Sequence, residues 1–316
     1  KGNSAELIQA RFDVSHYLKN DLDREGGEPG LTLVNEAIAF LKERSAKNDG
    51  RPFFMYLAPP NPHDPRVAAP RYMDLYRRDR IPLPANYLPV HPFDNGEMVV
   101  RDELLASWPR TPDEVRRHLH EYYASITGLD YHLGRLLQTL KDLGIEDDTI
   151  VIFASDNGLA VGQHGLMGKQ NLYEHSAKVP LIVAGPGIRE GATDAPVYLM
   201  DLFPTVCDLV GLPVPSGLDG QSLKPVIEDR GQRVRRTLFY TYRDCQKAIR
   251  NDRWKLIRYP LIDKTQLFDL RTDPEELKDL AADAAHAGRI RRLMARLADL
   301  QKRYGDTDPL TVPDPR

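Results

Sequence analysis

The sequence of 316 residues predicts an α/β fold, a mixed β-sheet covered by helices, followed by a small C-terminal α+β subdomain with an antiparallel sheet and one helix. In the main part, a helical pattern leads into an apolar run twice, before residues 53 and 149, which is typical of a mostly parallel, helix-covered sheet. Near residue 237 the pattern changes to short strand-like runs that end in one helix. We therefore place the main domain at residues 1–230 and the subdomain at residues 231–316.

The first helix is predicted to run to about Lys47, with Thr32 as its N-cap and apolar residues on one face. A strand at residues 53–58 follows it. Residues 59–92 are rich in proline and arginine and show little periodicity. Because a long irregular segment inside a compact protein is more often a functional loop than a linker, we expect this one, with His63 near its start, to lie over the functional site.

The second helix has the strongest start signal in the chain. Thr111 is a capping residue, proline occupies the first helical position, and acidic residues fill the first turn. Apolar residues at three- and four-residue spacing continue the pattern to about Leu143. A strand at residues 149–154 follows and ends at Asp156 and Asn157, which places both side chains where open α/β sheets bind their ligands.

The remaining elements follow from shorter patterns. A second apolar run at residues 179–184 and a helix at residues 200–210 complete the main domain. Short runs separated by turn residues predict four strands in the subdomain, at 238–242, 247–250, 254–259 and 266–269. The helix at residues 284–304 ends it.

Composition, charge and cysteine count limit the classes of protein to which this chain can belong. A net charge of −3, with 41% hydrophobic and 28% charged residues, is typical of a globular protein and gives no reason to expect nucleic acid or anionic membrane binding. Every apolar run is far shorter than a membrane span. Two isolated cysteines cannot form a disulfide framework.

The stretch after the strand at 149–154 carries the chemistry. The carboxylate of Asp156 and the amide oxygen of Asn157 suit a hard divalent cation such as calcium, although Asp-Asn-Gly is also common turn chemistry. Lys169 and His164, close behind, suit an oxyanion, and the glycines in Gly165-Leu166-Met167-Gly168-Lys169 allow the backbone to approach a ligand. A metal ion together with an oxyanion site is the chemistry of sulfate or phosphate ester cleavage.

Taken together, several motifs resemble the type I, formylglycine-dependent sulfatases of the alkaline-phosphatase superfamily, over nearly the whole chain. They are Pro52-Phe53-Phe54-Met55-Tyr56-Leu57-Ala58, Pro62-His63-Asp64-Pro65, Ser155-Asp156-Asn157-Gly158, Gly165-Leu166-Met167-Gly168-Lys169 with Glu174, Val179-Pro180-Leu181-Ile182, Asp201-Leu202-Phe203-Pro204-Thr205 and Trp254-Lys255-Leu256-Ile257. The resemblance implies an alkaline-phosphatase-like fold and hydrolysis of sulfuric esters. The Gly-Gln-His-Gly-Leu loop and the long segment after His63 favour a carbohydrate sulfate as substrate.

The resemblance also assigns roles to single residues. Asp156 and Asn157 match ligands of one calcium ion, and Lys169 matches the lysine that contacts sulfate oxygens. His63 matches the histidine that binds sulfate or donates a proton to the leaving oxygen, although Lys169 and His63 are also read as ordinary surface residues when taken alone. His164 lies near the sulfate in carbohydrate-type members, and a structural role for it is equally compatible with the sequence. Arg243 is either part of a plain edge strand or a substrate-binding guanidinium.

One part of the family pattern is missing. The signature Cys/Ser-x-Pro-x-Arg, whose first residue becomes formylglycine, does not occur, and neither Cys207 nor Cys245 precedes the required proline and arginine. We therefore expect the chain to be the C-terminal portion of a periplasmic or secreted sulfatase that acts on a sulfated small molecule or glycan. Two alternatives remain open: a phosphonate or phosphate ester hydrolase of the same superfamily, and a truncated, non-catalytic binding protein.

Overall fold

The computed structural model describes residues 10–16, 18, 26–48 and 50–315. The chain divides into two units, residues 1–81 with 116–149, and residues 82–115 with 150–316. The division into a main domain at 1–230 and a subdomain at 231–316 stays a prediction.

The first unit is built from helices. Helix α1 spans Leu31–Ala46, α2 spans Pro70–Met73, and most of the long α3, Pro112–Asp142, belongs here. Short 3₁₀ turns lie at Arg78–Arg80 and Glu146–Asp148. The carboxylate of Glu28 joins these elements, because it accepts hydrogen bonds from Arg71 (2.5 Å) and Tyr72 (2.9 Å) and lies 3.0 Å from Nε2 of His132.

Two sequence predictions for this unit are wrong. Helix α1 is capped by Gly30 with a φ of 78° and without a side-chain hydrogen bond, so Thr32 is not its N-cap. Residues 53–58 alternate in burial, with Phe54 and Tyr56 64% and 70% exposed, but no described residue pairs with them in a ladder. A β-strand requires a hydrogen-bonded neighbour, which this segment lacks in the described chain.

The helix signal at Thr111 is confirmed, since its hydroxyl accepts a hydrogen bond from the backbone N–H of Glu114 at 3.3 Å.

In the second unit, strand β1 (Val151–Ala154) and strand β2 (Leu181–Ala184) match the two predicted apolar runs. They pair in antiparallel register, from Val151 opposite Ala184 to Ala154 opposite Leu181. All strand pairs in the described residues are antiparallel, so the mostly parallel pairing expected from the helix–strand order is not found there.

The rest of the second unit follows the sequence prediction closely. Between β1 and β2 lies the short helix α4, Glu174–Ala177, and after β2 come α5, Leu202–Leu209, and α6, Lys224–Glu228. A four-stranded antiparallel sheet then consists of β3 (Leu238–Tyr242), β4 (Gln246–Arg250), β5 (Trp254–Tyr259) and β6 (Lys264–Asp269), in that order. Helix α7, Ala287–Tyr304, ends the unit. The four strands and the last helix confirm the α+β pattern.

The four-stranded sheet is covered on both faces. On one face, Leu293, Leu297 and Leu300 of α7 pack against Ile249, Leu256 and Leu267. On the other, the segment 160–173 packs Leu166 and Tyr173 against Ala248, Ile257 and Phe268. Because both faces are apolar and buried, the sheet of the subdomain fixes residues 160–173, the segment that follows the Asp-Asn turn at residues 155–158. No helix of the described residues is both long and apolar enough to cross a membrane.

Candidate functional site

The Asp-Asn turn, residues 155–158, follows β1 directly. Asp156 is exposed, and its Oδ1 accepts a hydrogen bond from the backbone N–H of Asn157 at 2.9 Å. The hydroxyl of Ser155 donates to the carbonyl oxygen of Asn157 at 2.9 Å. The side-chain nitrogen of Asn157 donates to the carbonyl oxygen of Gly158 at 2.8 Å, which leaves its amide oxygen as the atom suited to a cation. The turn is closed by short-range bonds and presents a carboxylate and an amide oxygen at the end of a strand.

The donor chemistry of this turn fits a hard divalent cation, because carboxylate and amide oxygens are the ligands that calcium prefers. Calcium takes about six to eight oxygen ligands, so Asp156 and Asn157 supply only part of a site. In the described ranges, no group of three or more His, Cys, Asp or Glu side chains is arranged to hold a metal ion. A cation held by the turn therefore needs further oxygen ligands beyond these two residues.

Lys169 lies in the lysine loop, residues 160–173, and pairs with Asp102. Its Nζ donates to Oδ2 of Asp102 at 2.7 Å, and Gln170 and Arg101 donate to the same carboxylate at 3.0 Å each. Burial raises the pKa of Asp102, but these donors, the lysine first, lower it to about 2. The lysine side chain is 28% exposed, and an ammonium group has three N–H donors. Lys169 is thus positioned by a charged carboxylate while part of it faces solvent.

The backbone of the lysine loop is held by Glu103. This buried carboxylate accepts the backbone N–H groups of Met167 and Gly168, both at 2.9 Å, and Nη2 of the fully buried Arg110 at 2.7 Å. Burial raises the pKa of Glu103, and the two amides and Arg110 oppose this only in part. Removing the carboxylate would leave two buried amides and a buried guanidinium without their partner, which is costly.

The two loop glycines serve packing within the protein, which corrects the expectation that they allow a ligand to approach. Gly165 has a φ of +76°, and a Cβ there would lie 2.4 Å from the backbone nitrogen of His91. At Gly168, a Cβ would lie 2.6 Å from the side chain of Gln170 and 2.9 Å from that of Glu103. Position 165 therefore requires glycine because backbone atoms occupy the space, whereas a side chain at position 168 would displace the ends of Gln170 and Glu103.

His164 is buried in an aromatic cluster of the same loop. Its ring stacks on Tyr173 with centroids 4.0 Å apart, and its Nε2 lies 3.2 Å from the amide nitrogen of Asn86. The carbonyl oxygen of His164 lies 2.7 Å from Nδ1 of His91. Burial lowers the pKa of His164 to about 4, with the neighbouring His91 and Lys255 adding to the effect. These contacts favour the structural role over the substrate-binding role, which no contact in the structure tests.

His63 and Arg243 lie apart from this loop in sequence. His63 belongs to the first unit, where its Nδ1 lies 2.8 Å from the carbonyl oxygen of Asp64 and its side chain is 35% exposed. Arg243 lies in the turn between β3 and β4 of the second unit, is 65% exposed, and pairs with the buried Glu97 at 2.6 Å. Of the six candidates, all but His63 belong to the second unit.

Sequence reasoning missed the residues that support Lys169. Asp102, Glu103 and Arg110 lie fifty or more residues before the loop that they hold, in a segment without clear periodicity. The acidic pair Asp102-Glu103 is the one local signal, and a pair of acidic residues is usually solvated. Neither cysteine is a nucleophile candidate, because both are buried free thiols and burial raises the pKa of Cys245 to about 11.

Comparison with protein families gives two matches. The sulfatase family model matches residues 10–212, and the model for the C-terminal region of N-sulphoglucosamine sulphohydrolase matches residues 162–303. The first covers well over half of the chain and includes the Asp-Asn turn and the lysine loop.

Among curated proteins, the chain is 28% identical to an N-acetylglucosamine-6-O-sulfatase of Bacteroides thetaiotaomicron, over 96% of this chain and 68% of that protein. It is 33% identical to a choline-sulfatase of Rhizobium meliloti, over 79% of this chain and 50% of that protein. An arylsulfatase of Clostridium perfringens is 28% identical, with 92% and 61% covered. The chain thus spans about half to two thirds of the length of these relatives.

Among solved structures, one of a protein in complex with its substrate D-glucosamine-2-N,6-O-disulfate superposes with a TM-score of 0.73 at 25% identity, over 94% of this chain and 73% of the other. A phosphonate monoester hydrolase from Silicibacter pomeroyi superposes with a TM-score of 0.68 at 26% identity, over 86% and 61%. Both likenesses support the alkaline-phosphatase-like α/β fold with its C-terminal subdomain.

Proposed function

Since the chain belongs to the sulfatase family, we propose that the protein hydrolyses sulfuric esters and that its substrates are sulfated carbohydrates. The observation that carries this proposal is the matched region itself. In it, the exposed carboxylate of Asp156 and the part-buried amide of Asn157 lie at a strand end, and the charged carboxylate of Asp102 holds Lys169 in the adjoining loop. Hard oxygens together with a fixed cation are what a divalent metal and a sulfate group require.

In this proposal Asp156 and Asn157 hold a calcium ion through their side-chain oxygens, and further ligands complete its shell. The sulfatase family implies calcium and formylglycine in general, and bound calcium supplies Lewis-acid stabilisation of the charge on the sulfate oxygens. Lys169 binds a sulfate oxygen through its ammonium group, and its charge opposes the negative charge of the transition state. Since the pKa of Asp102 is lowered to about 2, its carboxylate stays charged at neutral pH and orients the lysine.

His63 is proposed to donate a proton to the leaving alcohol oxygen. Its exposure is intermediate, and the carbonyl oxygen of Asp64 lies 2.8 Å from Nδ1 and orients the ring. Arg243 is proposed to bind an acidic or hydroxyl group of the sugar, because its guanidinium is largely exposed while Glu97 fixes one side.

The substrate class has support from the relatives. One curated relative is an N-acetylglucosamine-6-O-sulfatase, and one solved relative holds a doubly sulfated glucosamine. The phosphonate monoester hydrolase among the structural relatives favours the second candidate, a phosphonate or phosphate ester hydrolase. A periplasmic or secreted location is proposed, in keeping with a glycan substrate.

The test is a substrate panel for the protein as its gene encodes it, with calcium present: glucosamine-6-sulfate, an aryl sulfate, choline sulfate and a phenyl phosphonate ester. We expect the highest kcat/KM for the sugar sulfate. A higher kcat/KM for the phosphonate ester supports the second candidate instead. Absence of turnover with all four compounds contradicts both and leaves the binding protein.

A further inference from the structure

We propose that a buried charge network of the subdomain, the brace, positions the Asp-Asn turn for its cation through helix α4. The brace consists of Glu174 of α4, Arg250 of β4, Lys255 of β5 and Glu276 after β6. The inference rests on the proposed function, because it assigns a positioning role toward the proposed calcium site.

The contacts of the brace are short and buried. Nζ of Lys255 lies 3.0 Å from Oε1 of Glu174 and 3.0 Å from Oε1 of Glu276, and the lysine side chain is fully buried. Nε of Arg250 donates to the same oxygen of Glu174 at 3.2 Å. Glu276 also accepts the backbone N–H of Glu174 at 2.6 Å, which caps the first residue of α4. Three parts of the subdomain therefore hold one four-residue helix.

Helix α4 in turn contacts the Asp-Asn turn through its backbone. The N–H of Gly158 donates to the carbonyl oxygen of Ser176 at 3.0 Å. A Cβ at Gly158 would lie only 2.0 Å from the carbonyl oxygen of His175, so the two backbones are in direct contact. Any movement of α4 is therefore passed to the residue that follows Asn157.

The charges of the brace explain why it is rigid. Burial raises the pKa of Glu174, but Lys255 and Arg250 together lower it below its usual value, so this carboxylate is charged. Burial raises the pKa of Glu276, which Lys255 opposes in part. Glu276 also has a φ of 57°, a left-handed conformation that is unfavourable for a non-glycine residue. Such a conformation persists only where surrounding contacts hold it, as those with Lys255 and α4 do.

The turn needs this support because its own side chains have few other contacts. Asp156 is exposed, and the side-chain hydrogen bonds that shape the turn run between residues one or two positions apart. A metal ion tolerates only small errors in ligand position, on the order of 0.5 Å. Backbone contact with α4 ties the residue that follows Asn157 to the brace.

The chain offers a matched control for the central lysine. Lys247 of β4 is also fully buried between two carboxylates, Asp306 and Asp308, at 2.9 and 2.8 Å, and neither of these contacts α4. Lys255→Met and Lys247→Met therefore remove equivalent buried charges from neighbouring strands. We expect both to lower the melting temperature, and only Lys255→Met to weaken calcium binding, by about tenfold or more, as for other groups that orient metal ligands.

The measurement is calorimetric titration of calcium into the metal-free protein as its gene encodes it, together with its melting temperature. If Lys255→Met is folded and binds calcium as tightly as the unsubstituted protein, the proposed positioning role of the brace is wrong. Equal weakening by both lysine substitutions overturns it too, because the effect is then general destabilisation. No calcium binding by the unsubstituted protein is a different result, which contradicts the proposed metal site itself.

A second variant decides the question if Lys255→Met does not fold. Gly158→Ala places a methyl group against the carbonyl oxygen of His175 and leaves the brace intact, and Gly134→Ala, with open space around it, is its control. We expect Gly158→Ala to weaken calcium binding about tenfold and to lower the melting temperature, because the backbone of α4 or of the turn has to shift, whereas Gly134→Ala should reduce neither. Unchanged affinity in Gly158→Ala overturns the proposed contact between α4 and the turn.

Discussion

The Asp-Asn turn and the lysine loop lie next to each other in the sequence, but the structure treats them differently. In the turn, Asp156 is exposed, and the hydrogen bonds of its side chain stay within the turn. In the loop, residues 160–162 and 164–168 are buried, and Glu103 and the sheet of the subdomain hold them.

The difference separates two kinds of constraint. Oxygens that bind an external cation have to stay accessible, so the turn contributes little to stability through its side chains. The lysine loop has to hold one ammonium group at a fixed place, so its backbone is tied to buried groups. Substitutions in the turn should therefore change function without changing stability, whereas those beneath the loop should change both.

The largest expected effect is in the turn. Asp156→Ala removes a charged cation ligand and should lower sulfatase kcat/KM by about a thousandfold or more, the upper range for a lost electrostatic contact in an active site. Because Asp156 is exposed, the melting temperature in the absence of metal should stay the same. Calcium titration and thermal unfolding check the two parts, with Asp148→Ala, an exposed carboxylate before β1, as control. Retained calcium binding in Asp156→Ala contradicts the assignment.

The next largest effect is expected for Glu103, which holds the backbone of the lysine loop. Glu103→Gln removes the charge that pairs with buried Arg110 and weakens the acceptor of two amides, so we expect a loss of about 3 kcal/mol in the free energy of unfolding. Denaturant unfolding measures it. Glu43→Gln, which breaks an exposed pair with Lys47, should cause no measurable change. A Glu103 variant as stable as the unsubstituted protein would show that the loop does not depend on this carboxylate.

Lys169→Ala should lower activity less than Asp156→Ala does, and stability less than Glu103→Gln does. It removes a cation that is partly exposed, so stability should change little, and kcat on a sulfate ester should fall by about a hundredfold. Binding of the desulfated sugar should not change. Asp102→Asn keeps the ammonium group and loses only its orientation, and a smaller fall in kcat is expected for it. Near-normal kcat in Lys169→Ala would make this lysine a surface residue.

The smallest effect is a pH dependence that comes from buried histidines in and beside the lysine loop. Burial lowers the pKa values of His91 and His164 to about 4, whereas the unfolded chain titrates near 6.5. Between these values the unfolded state binds more protons, so stability is present above pH 6.5 and is lost as the pH falls towards 4. His91→Asn, which keeps a donor for the carbonyl oxygen of His164, should flatten this dependence by on the order of 1–2 kcal/mol.

Unfolding free energies at pH 7 and pH 4.5 test this, with Asp148→Asn as a control outside the loop. An equally steep dependence in His91→Asn would locate the titrating groups elsewhere. If Asp156→Ala flattened the dependence instead, the contrast between turn and loop would not hold.

The sequence by itself determined the elements and the chemistry at their ends. The capping signal at Thr111, the four strands of the subdomain and helix α7 all follow from local pattern, because caps, turns and apolar period act over a few residues. Local pattern also placed Asp156 and Asn157 at a strand end and Lys169 in a glycine-containing loop, and the resemblance of these motifs identified the family.

Tertiary structure decided what those residues contact. The strand predicted at 53–58 lacks a partner in the described chain, and the pairing of β1 with β2 is antiparallel, since strand pairing depends on segments distant in sequence. The roles of Asp102 and Glu103 and the contacts of the brace were not predicted, because they too depend on segments that are distant in sequence. Their roles arise from burial beside residues that lie far along the chain, and burial turns an ordinary charged side chain into one that fixes its neighbours.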